Sequence, residues 1–180
     1  MIQVVNNGLL FITISAQTES TTMQDAEKWA AGFAKKIADE QDATGQRERV
    51  ALMKHEAVKT RSPQLWDEVV EKLQEYATAF NQRFNKRRKL TWHMPASYQF
   101  MVRPDAMPEI VEAKYFPSEH RILVKSGREG HSYQATARLQ GSQVAVVLEE
   151  GNFGEISPEF IAQRAIEEGV SNVFSALDAL

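Results

Sequence analysis

The spacing of hydrophobic side chains changes close to Leu90, and this change constrains the fold more than any other feature of the sequence. Before Leu90 the apolar residues recur every three or four positions, whereas over residues 132–139 they occupy every second position. A helix has 3.6 residues per turn, and a strand points successive side chains to opposite faces. The sequence therefore predicts helices first and a β-sheet after residue 90.

Three helices are predicted ahead of this change, over residues 23–41, 46–60 and 63–88. The break between the first two is placed at residues 42–45, which end in a glycine. At the start of the third, Ser62 offers an N-cap oxygen, and Pro63 fits the first helical position, where no backbone donor is needed. The first helix carries an apolar stripe formed by Ala26, Trp29, Ala30, Phe33, Ala34 and Ile37.

Residues 1–22 allow three interpretations. Their apolar run at residues 9–14 is too short to span a bilayer of about 30 Å, and no Lys or Arg precedes it, as a secretory signal would require. Asn7-Gly8 is a dipeptide that favours tight turns, so a strand or a hairpin is one interpretation. A signal is the second, and an incidental extension before a start at Met23 is the third.

About five strands are predicted between residues 90 and 150. Their connections are short, for example at residues 117–119 and 140–142. Short connections favour an antiparallel meander, because parallel strands need crossovers of a dozen residues or more. The polar face of this sheet is predicted to carry Gln99, Arg103, Glu112, Lys114, Arg121, Lys125, Gln134, Thr136 and Arg138.

A last helix is predicted over residues 158–178, with Ser157 as its N-cap and Pro158 as its first residue. The order of elements indicates the α+β class, with helices packed on one face of the sheet. A chain of 180 residues fits a single domain, 1–180, with a possible sub-boundary near residue 90.

The composition excludes several classes of protein. The chain contains no cysteine, which rules out disulfide scaffolds, thiolate nucleophiles and cysteine-based zinc or iron–sulfur sites. A hydrophobic content of 43% and a charged content of 25% are typical of globular proteins. With no apolar run long enough to cross a membrane, these values predict a soluble protein, and we expect it in the cytoplasm.

Charge is distributed unevenly along the chain. Residues 46–89 hold eleven basic and six acidic side chains, whereas residues 141–180 hold one and seven. The densest basic patch consists of Arg83, Lys86, Arg87, Arg88 and Lys89. It is interpreted either as an anion or nucleic-acid site or as cations that complement the dipole at a helix C-terminus. A pI of about 5.9 argues against nucleic acid as a partner, so the patch is also a candidate contact for the acidic C-terminal region.

No complete catalytic signature is found. His55 and Glu56 resemble the start of a helical zinc-protease motif, but Lys59 replaces the second histidine ligand. The turn at residues 151–154 is rich in glycine, yet its acidic neighbours would repel a phosphate. The remaining polar candidates for a ligand site are His93, His120, Glu112 and Tyr98. No metal and no cofactor are expected.

These observations favour a non-catalytic binding or assembly module that acts through protein partners or through self-association as a homo-oligomer. The alternative is a small-molecule-binding or enzymatic domain whose site lies between the sheet and the helices. Aromatic residues around the predicted sheet are compatible with such a cavity. Nucleic acid and membranes are not expected partners.

Overall fold

The computed structural model describes residues 6–84, 89–105, 107–151 and 153–177, with side chains described from residue 25 to residue 173 within these ranges. The chain divides into two compact units, Met1–Ala51 and Leu52–Leu180. The change of element type predicted near residue 90 is confirmed, because the first strand begins there. That residues 1–180 form a single domain stays a prediction.

The first helix, α1, runs without a break from Asn6 to Arg83. The prediction of three separate helices was therefore wrong, as was the strand or hairpin interpretation for residues 6–22; residues 1–5 lie outside the described residues. Gly45 does not end the helix, because a glycine costs only about 1 kcal/mol relative to alanine inside one. The signal and the extension stay predictions for the N-terminal segment.

Pro63 lies inside α1 and does not begin a helix. Ser62 does not act as an N-cap. Its hydroxyl contacts Tyr115 and His120 and does not accept a hydrogen bond from a backbone N–H of the following turn. The helix ends at Arg83, earlier than the predicted residue 88. Residues 85–88 lie outside the described part of the chain.

Seven strands follow in the described part of the chain, and each pairs in antiparallel fashion with its neighbour in the sequence. They are β1 (Leu90–Ala96), β2 (Gln99–Pro104), β3 (Val111–Phe116), β4 (Arg121–Ser126), β5 (Glu129–Gln140), β6 (Gln143–Glu149) and β7 (Glu155–Ile156). The antiparallel meander is confirmed, but the predicted number of about five strands was too low. Residues 90–104 form two strands joined by a tight turn after Pro95, and β7 is too short to show a periodic pattern.

The C-terminal helix, α2 (Pro158–Leu177), matches its prediction closely. The Ser157 hydroxyl accepts a hydrogen bond from the Phe160 backbone N–H at 3.1 Å, which confirms the N-cap. Gly169 lets this helix approach the sheet, because a Cβ there would lie 2.8 Å from the carbonyl oxygen of Ile110.

The hydrophobic core lies on one face of the sheet and includes residues from both helices. From α1 it takes Leu65, Trp66, Val69 and Leu73, from the sheet Phe100, Val102, Val111, Ile122 and Tyr133, and from α2 Ile161, Ala162 and Ala165. Cross-strand pairs such as Glu112 with Lys125 and Arg121 with Gln134 place the predicted polar residues on the opposite face. The α+β class with helices on one face of the sheet is confirmed. Within the described part of the chain, no helix has the length and apolar character that crossing a membrane requires.

Candidate functional site

The four polar candidates predicted from the sequence do not form one site. His93 on β1 is paired with Met101, and Met101 is paired with Glu112 on β3. His93 and Glu112 therefore share the polar face of the sheet, but they lie two strands apart, a distance of about 10 Å. Tyr98 and His120 belong to a different group of side chains, on the core side of the sheet.

Glu112 is held by its neighbours on the polar face. Its carboxylate lies 2.6 Å from the Lys114 ammonium and accepts a hydrogen bond from the Gln99 amide at 2.9 Å. The hydrogen bond from Lys114 lowers the pKa of Glu112, and the charge of Lys125 adds to this effect. Because opposite charges favour the ionised carboxylate, Glu112 is a partner in a surface ion cluster.

His120 belongs to a cluster centred on Ser62 of α1. The Ser62 hydroxyl lies 2.8 Å from the Tyr115 hydroxyl and 3.0 Å from Nδ1 of His120. Tyr98 packs edge-on against the ring of Tyr115 at 5.4 Å, and His55 packs edge-on against His120 at 6.4 Å. The cluster thus joins α1, β3 and the turn before β4.

A serine beside a histidine is the arrangement that nucleophilic catalysis uses, so access to Ser62 decides what the cluster can do. Ser62 is 1% exposed, and its oxygen already contacts two protein groups. A substrate would reach it only after local unfolding. Trp66, Phe100 and Leu73 are fully buried in the neighbouring core. The geometry suits a buried polar link between the helix and the sheet.

The backbone at His120 is left-handed, with φ of 50°. Such a conformation is uncommon outside glycine, although histidine adopts it more readily than most residues. It lets the turn between β3 and β4 direct the imidazole ring towards Ser62. The left-handed turn and the part-buried contact between Ser62 and His120 therefore support each other.

The basic patch is described only at its two ends. Arg83 closes α1, and the carbonyl of Lys89 accepts a hydrogen bond from the Asp105 N–H at 3.1 Å. Lys86, Arg87 and Arg88 lie outside the described residues. The patch as an anion site, and its contact with the acidic C-terminal region, stay predictions.

A second charged cluster, formed by four side chains around His131, was not predicted from the sequence. The two ring nitrogens of His131 contact different carboxylates, Nδ1 that of Glu150 at 2.8 Å and Nε2 that of Glu168 at 3.1 Å. Arg164 donates to the same two carboxylates, at 2.8 Å and 2.9 Å. The four groups form a closed ring of charge-assisted contacts between β5, the residue that follows β6, and α2.

Tyr133 lies beneath this ring and is 1% exposed. Burial raises its pKa, and the negative charge of Glu150 raises it further. The phenol therefore stays protonated. No local spacing predicts the ring, because Glu150 and Glu168 are 19 and 37 residues away from His131.

Among the described residues, no group of three or more His, Cys, Asp or Glu side chains has the arrangement to hold a metal ion. His131, Glu150 and Glu168 are included in that statement. Their polar atoms are already used by one another and by Arg164. The ring is therefore a candidate for structural support and for shaping the surface next to it.

The apolar stripe of α1 is a further candidate site, and its large side chains are largely exposed to solvent. Trp29 is 70% exposed, Phe33 51% and Ile37 42%. The rings of Trp29 and Phe33 stack at 5.4 Å with planes 6° apart, so the two aromatic side chains form one flat apolar surface. The sequence predicted the stripe, but its spacing does not tell whether a partner covers it.

Comparison with known proteins gives no match. No family model, no curated protein and no solved structure matches the chain.

Proposed function

We propose that this protein is an assembly module that associates with a second copy of itself through the apolar stripe of α1. The observation that carries the proposal is the exposure of Trp29, Phe33 and Ile37 on one face of the helix. Large apolar side chains grouped on a surface typically mark an interaction site. Each gains roughly 1.5 to 3 kcal/mol when it is fully removed from water.

The exposure of the helix on all sides of the stripe also supports the binding of a second copy. Nearly all side chains of residues 25–51 are exposed, so packing among the described residues of this unit contributes little to this part of α1. Isolated helices are marginal in water, and most helices in proteins are stabilised by packing of an apolar face. The stripe has apolar positions at steps of three and four residues, as is typical of helices in bundles.

The sizes of the stripe residues are complementary to those of a second, antiparallel stripe. A two-fold axis between Ala31 and Gly32 would place each large residue opposite an alanine. In this arrangement Ile37 faces Ala26, Trp29 faces Ala34 and Phe33 faces Ala30 of the second copy. A parallel pair in register would instead place Trp29 on Trp29 and alanine on alanine, and would leave gaps between the large side chains.

The charges on one flank of the stripe agree with the same arrangement. Asp25 and Lys36 lie on the same flank, because eleven positions of a helix amount to about three turns. In the antiparallel pair, Lys36 would lie within about 3 Å, along the helix axis, of Asp25 from the second copy. Two such contacts form by symmetry, and both bring opposite charges together.

The test is the mass of the full chain in solution, measured by sedimentation equilibrium or by light scattering. We expect a dimer that dissociates on dilution, and a monomer for Phe33→Glu, since the variant would bury a carboxylate opposite an alanine. Ala31→Glu is the matched control, because it adds the same charge to the same helix away from the stripe. A monomeric native chain, or a Phe33→Glu variant that dimerises as strongly as the native chain, would refute the proposal.

A further inference from the structure

A surface groove beside the start of α2 has the lining of a binding site. Its volume is about 730 Å³, which is within the usual range for ligand sites. The groove is lined by Glu150, Phe153, Glu155, Ile156, Ser157, Phe160 and Arg164. The turn before β7, β7 itself and the first two turns of α2 thus contribute to it.

Two phenylalanines give the groove an aromatic lining that faces water. Phe153 is 86% exposed and Phe160 is 51% exposed. Phe153 is fixed on a turn, since its N–H donates to the carbonyl of Glu150 at 2.9 Å. The faces of aromatic rings carry partial negative charge and attract cations.

The charged groups around the groove leave it with an excess of negative charge. Arg164 is already neutralised, because it donates to both Glu150 and Glu168. Glu155 is exposed, and within the described residues no cation pairs with it. A cation would therefore meet the Glu155 carboxylate and aromatic faces, whereas an anion would be repelled.

The strand next to the groove favours a peptide as the carrier of the cation. β7 is the last strand of the sheet and, among the described strands, pairs with β6 alone. A terminal strand leaves one edge of backbone donors and acceptors to which an extended peptide can add. Glu155 and Ile156, the two residues of β7, both line the groove.

We propose that this groove binds a lysine or arginine side chain of an extended peptide from a protein partner. The aliphatic part of the side chain packs on Phe153 and Phe160, and its cation contacts the carboxylate of Glu155. Arg164 also lines the groove, and its two carboxylate partners, Glu150 and Glu168, offset its charge and so limit its repulsion of the peptide cation. This site is separate from the stripe of α1 and does not depend on self-association.

The test uses a synthetic capped pentapeptide of alternating valine and lysine, with its norleucine counterpart as the uncharged control. We expect saturable binding of the lysine peptide to the full chain by calorimetry or NMR, and binding weaker by at least about fivefold for the norleucine peptide. Phe153→Ala and Glu155→Gln should each lower the affinity for the lysine peptide by a similar factor. Both residues are exposed, so the folded state should persist, which circular dichroism checks.

Glu167→Gln is the matched control, because Glu167 is an exposed glutamate of α2 outside the groove. It should leave the affinity for the lysine peptide unchanged. Equal binding of the two peptides would mean an apolar groove without cation selectivity and would overturn the proposal. Absence of binding by the lysine peptide, or a Phe153→Ala variant with native affinity, would overturn it as well.

Discussion

A buried hydroxyl in the middle of a helix has to find its partners elsewhere in the fold. Ser62 does so with Tyr115 and His120, at 2.8 Å and 3.0 Å. Buried polar groups are nearly always hydrogen-bonded, because leaving one unsatisfied is costly. These three side chains therefore fix where α1 meets the sheet.

Removing this hydroxyl should weaken the fold. We expect Ser62→Ala to lower the free energy of unfolding by about 1 to 3 kcal/mol, since it leaves the buried Tyr115 hydroxyl without its partner. Urea denaturation followed by tryptophan fluorescence measures the change. Thr78→Ala is the control, because its hydroxyl is exposed and bonds only within its own helix; it should change stability by less than about 0.5 kcal/mol. Equal losses in the two variants would contradict this role of Ser62.

A second prediction at the residue scale concerns pH. Lys114 lowers the pKa of Glu112 in the folded chain, so the ionised carboxylate stabilises the fold above its unfolded pKa, and this stabilisation is lost as pH falls through the folded pKa. We expect Glu112→Gln to be less stable than the native chain at neutral pH, by less than about 1 kcal/mol because the pair is at the surface. The difference should begin to decrease as pH falls below about 4, and it should disappear only below the lowered pKa of Glu112 in the folded chain. Thermal unfolding at several pH values measures it, and a difference that is independent of pH would exclude the ion pair as its cause.

At the scale of the elements, two helical glycines have opposite surroundings. A Cβ at Gly169 of α2 would lie 2.8 Å from the Ile110 carbonyl oxygen, whereas nothing lies within 4 Å of one at Gly45 of α1. Gly169→Ala should therefore destabilise the chain by about 1 to 3 kcal/mol through overpacking. Gly45→Ala should stabilise the helix by up to about 1 kcal/mol, which would also raise the helix content. Circular dichroism with thermal unfolding tests both, and a shift of the same sign in both variants would contradict the assigned packing at Gly169.

The sequence predicted the types of the elements better than their boundaries. The change at Leu90 and the cap at Ser157 depend on local chemistry, and both were predicted correctly. The continuous α1 was missed because Gly45 and Pro63 are usual helix breakers. Around Pro63 the helix packs on the sheet through Ser62, Leu65 and Trp66, which is tertiary packing that spacing along the chain does not reveal. The strand β7 consists of two residues, too few for any periodicity to indicate.

The candidate sites were less predictable than the fold. His120 was identified as a polar residue, but its contact with Ser62 joins positions 58 residues apart. The ring around His131 likewise brings together β5, the residue that follows β6, and α2. Such contacts are formed by tertiary structure, and no spacing along the chain indicates them. The exposure of the α1 stripe is also a tertiary property, although its residues were predicted.

At the scale of the whole molecule, the proposed assembly predicts a definite distance. The variant Ala43→Cys has a single thiol, since the chain has no cysteine of its own. A spin label can therefore be attached at this position alone. In the antiparallel pair the two labelled positions would be separated by about 35 Å along the helix axes, from a rise of 1.5 Å per residue. A parallel pair in register would bring their backbones to about 10 Å. Pulsed electron resonance distinguishes the two, and a short distance would exclude the antiparallel arrangement even if the chain dimerises.

The strand order of the sheet has a consequence for how the polypeptide reaches its native state. Each strand is hydrogen-bonded to the strand that precedes it in the chain, from β1 to β7. Every pairing therefore closes a short loop, and the entropic barrier to each step is small. The sheet can grow by successive hairpins in the order of synthesis, and its assembly should be fast compared with sheets built from distant segments.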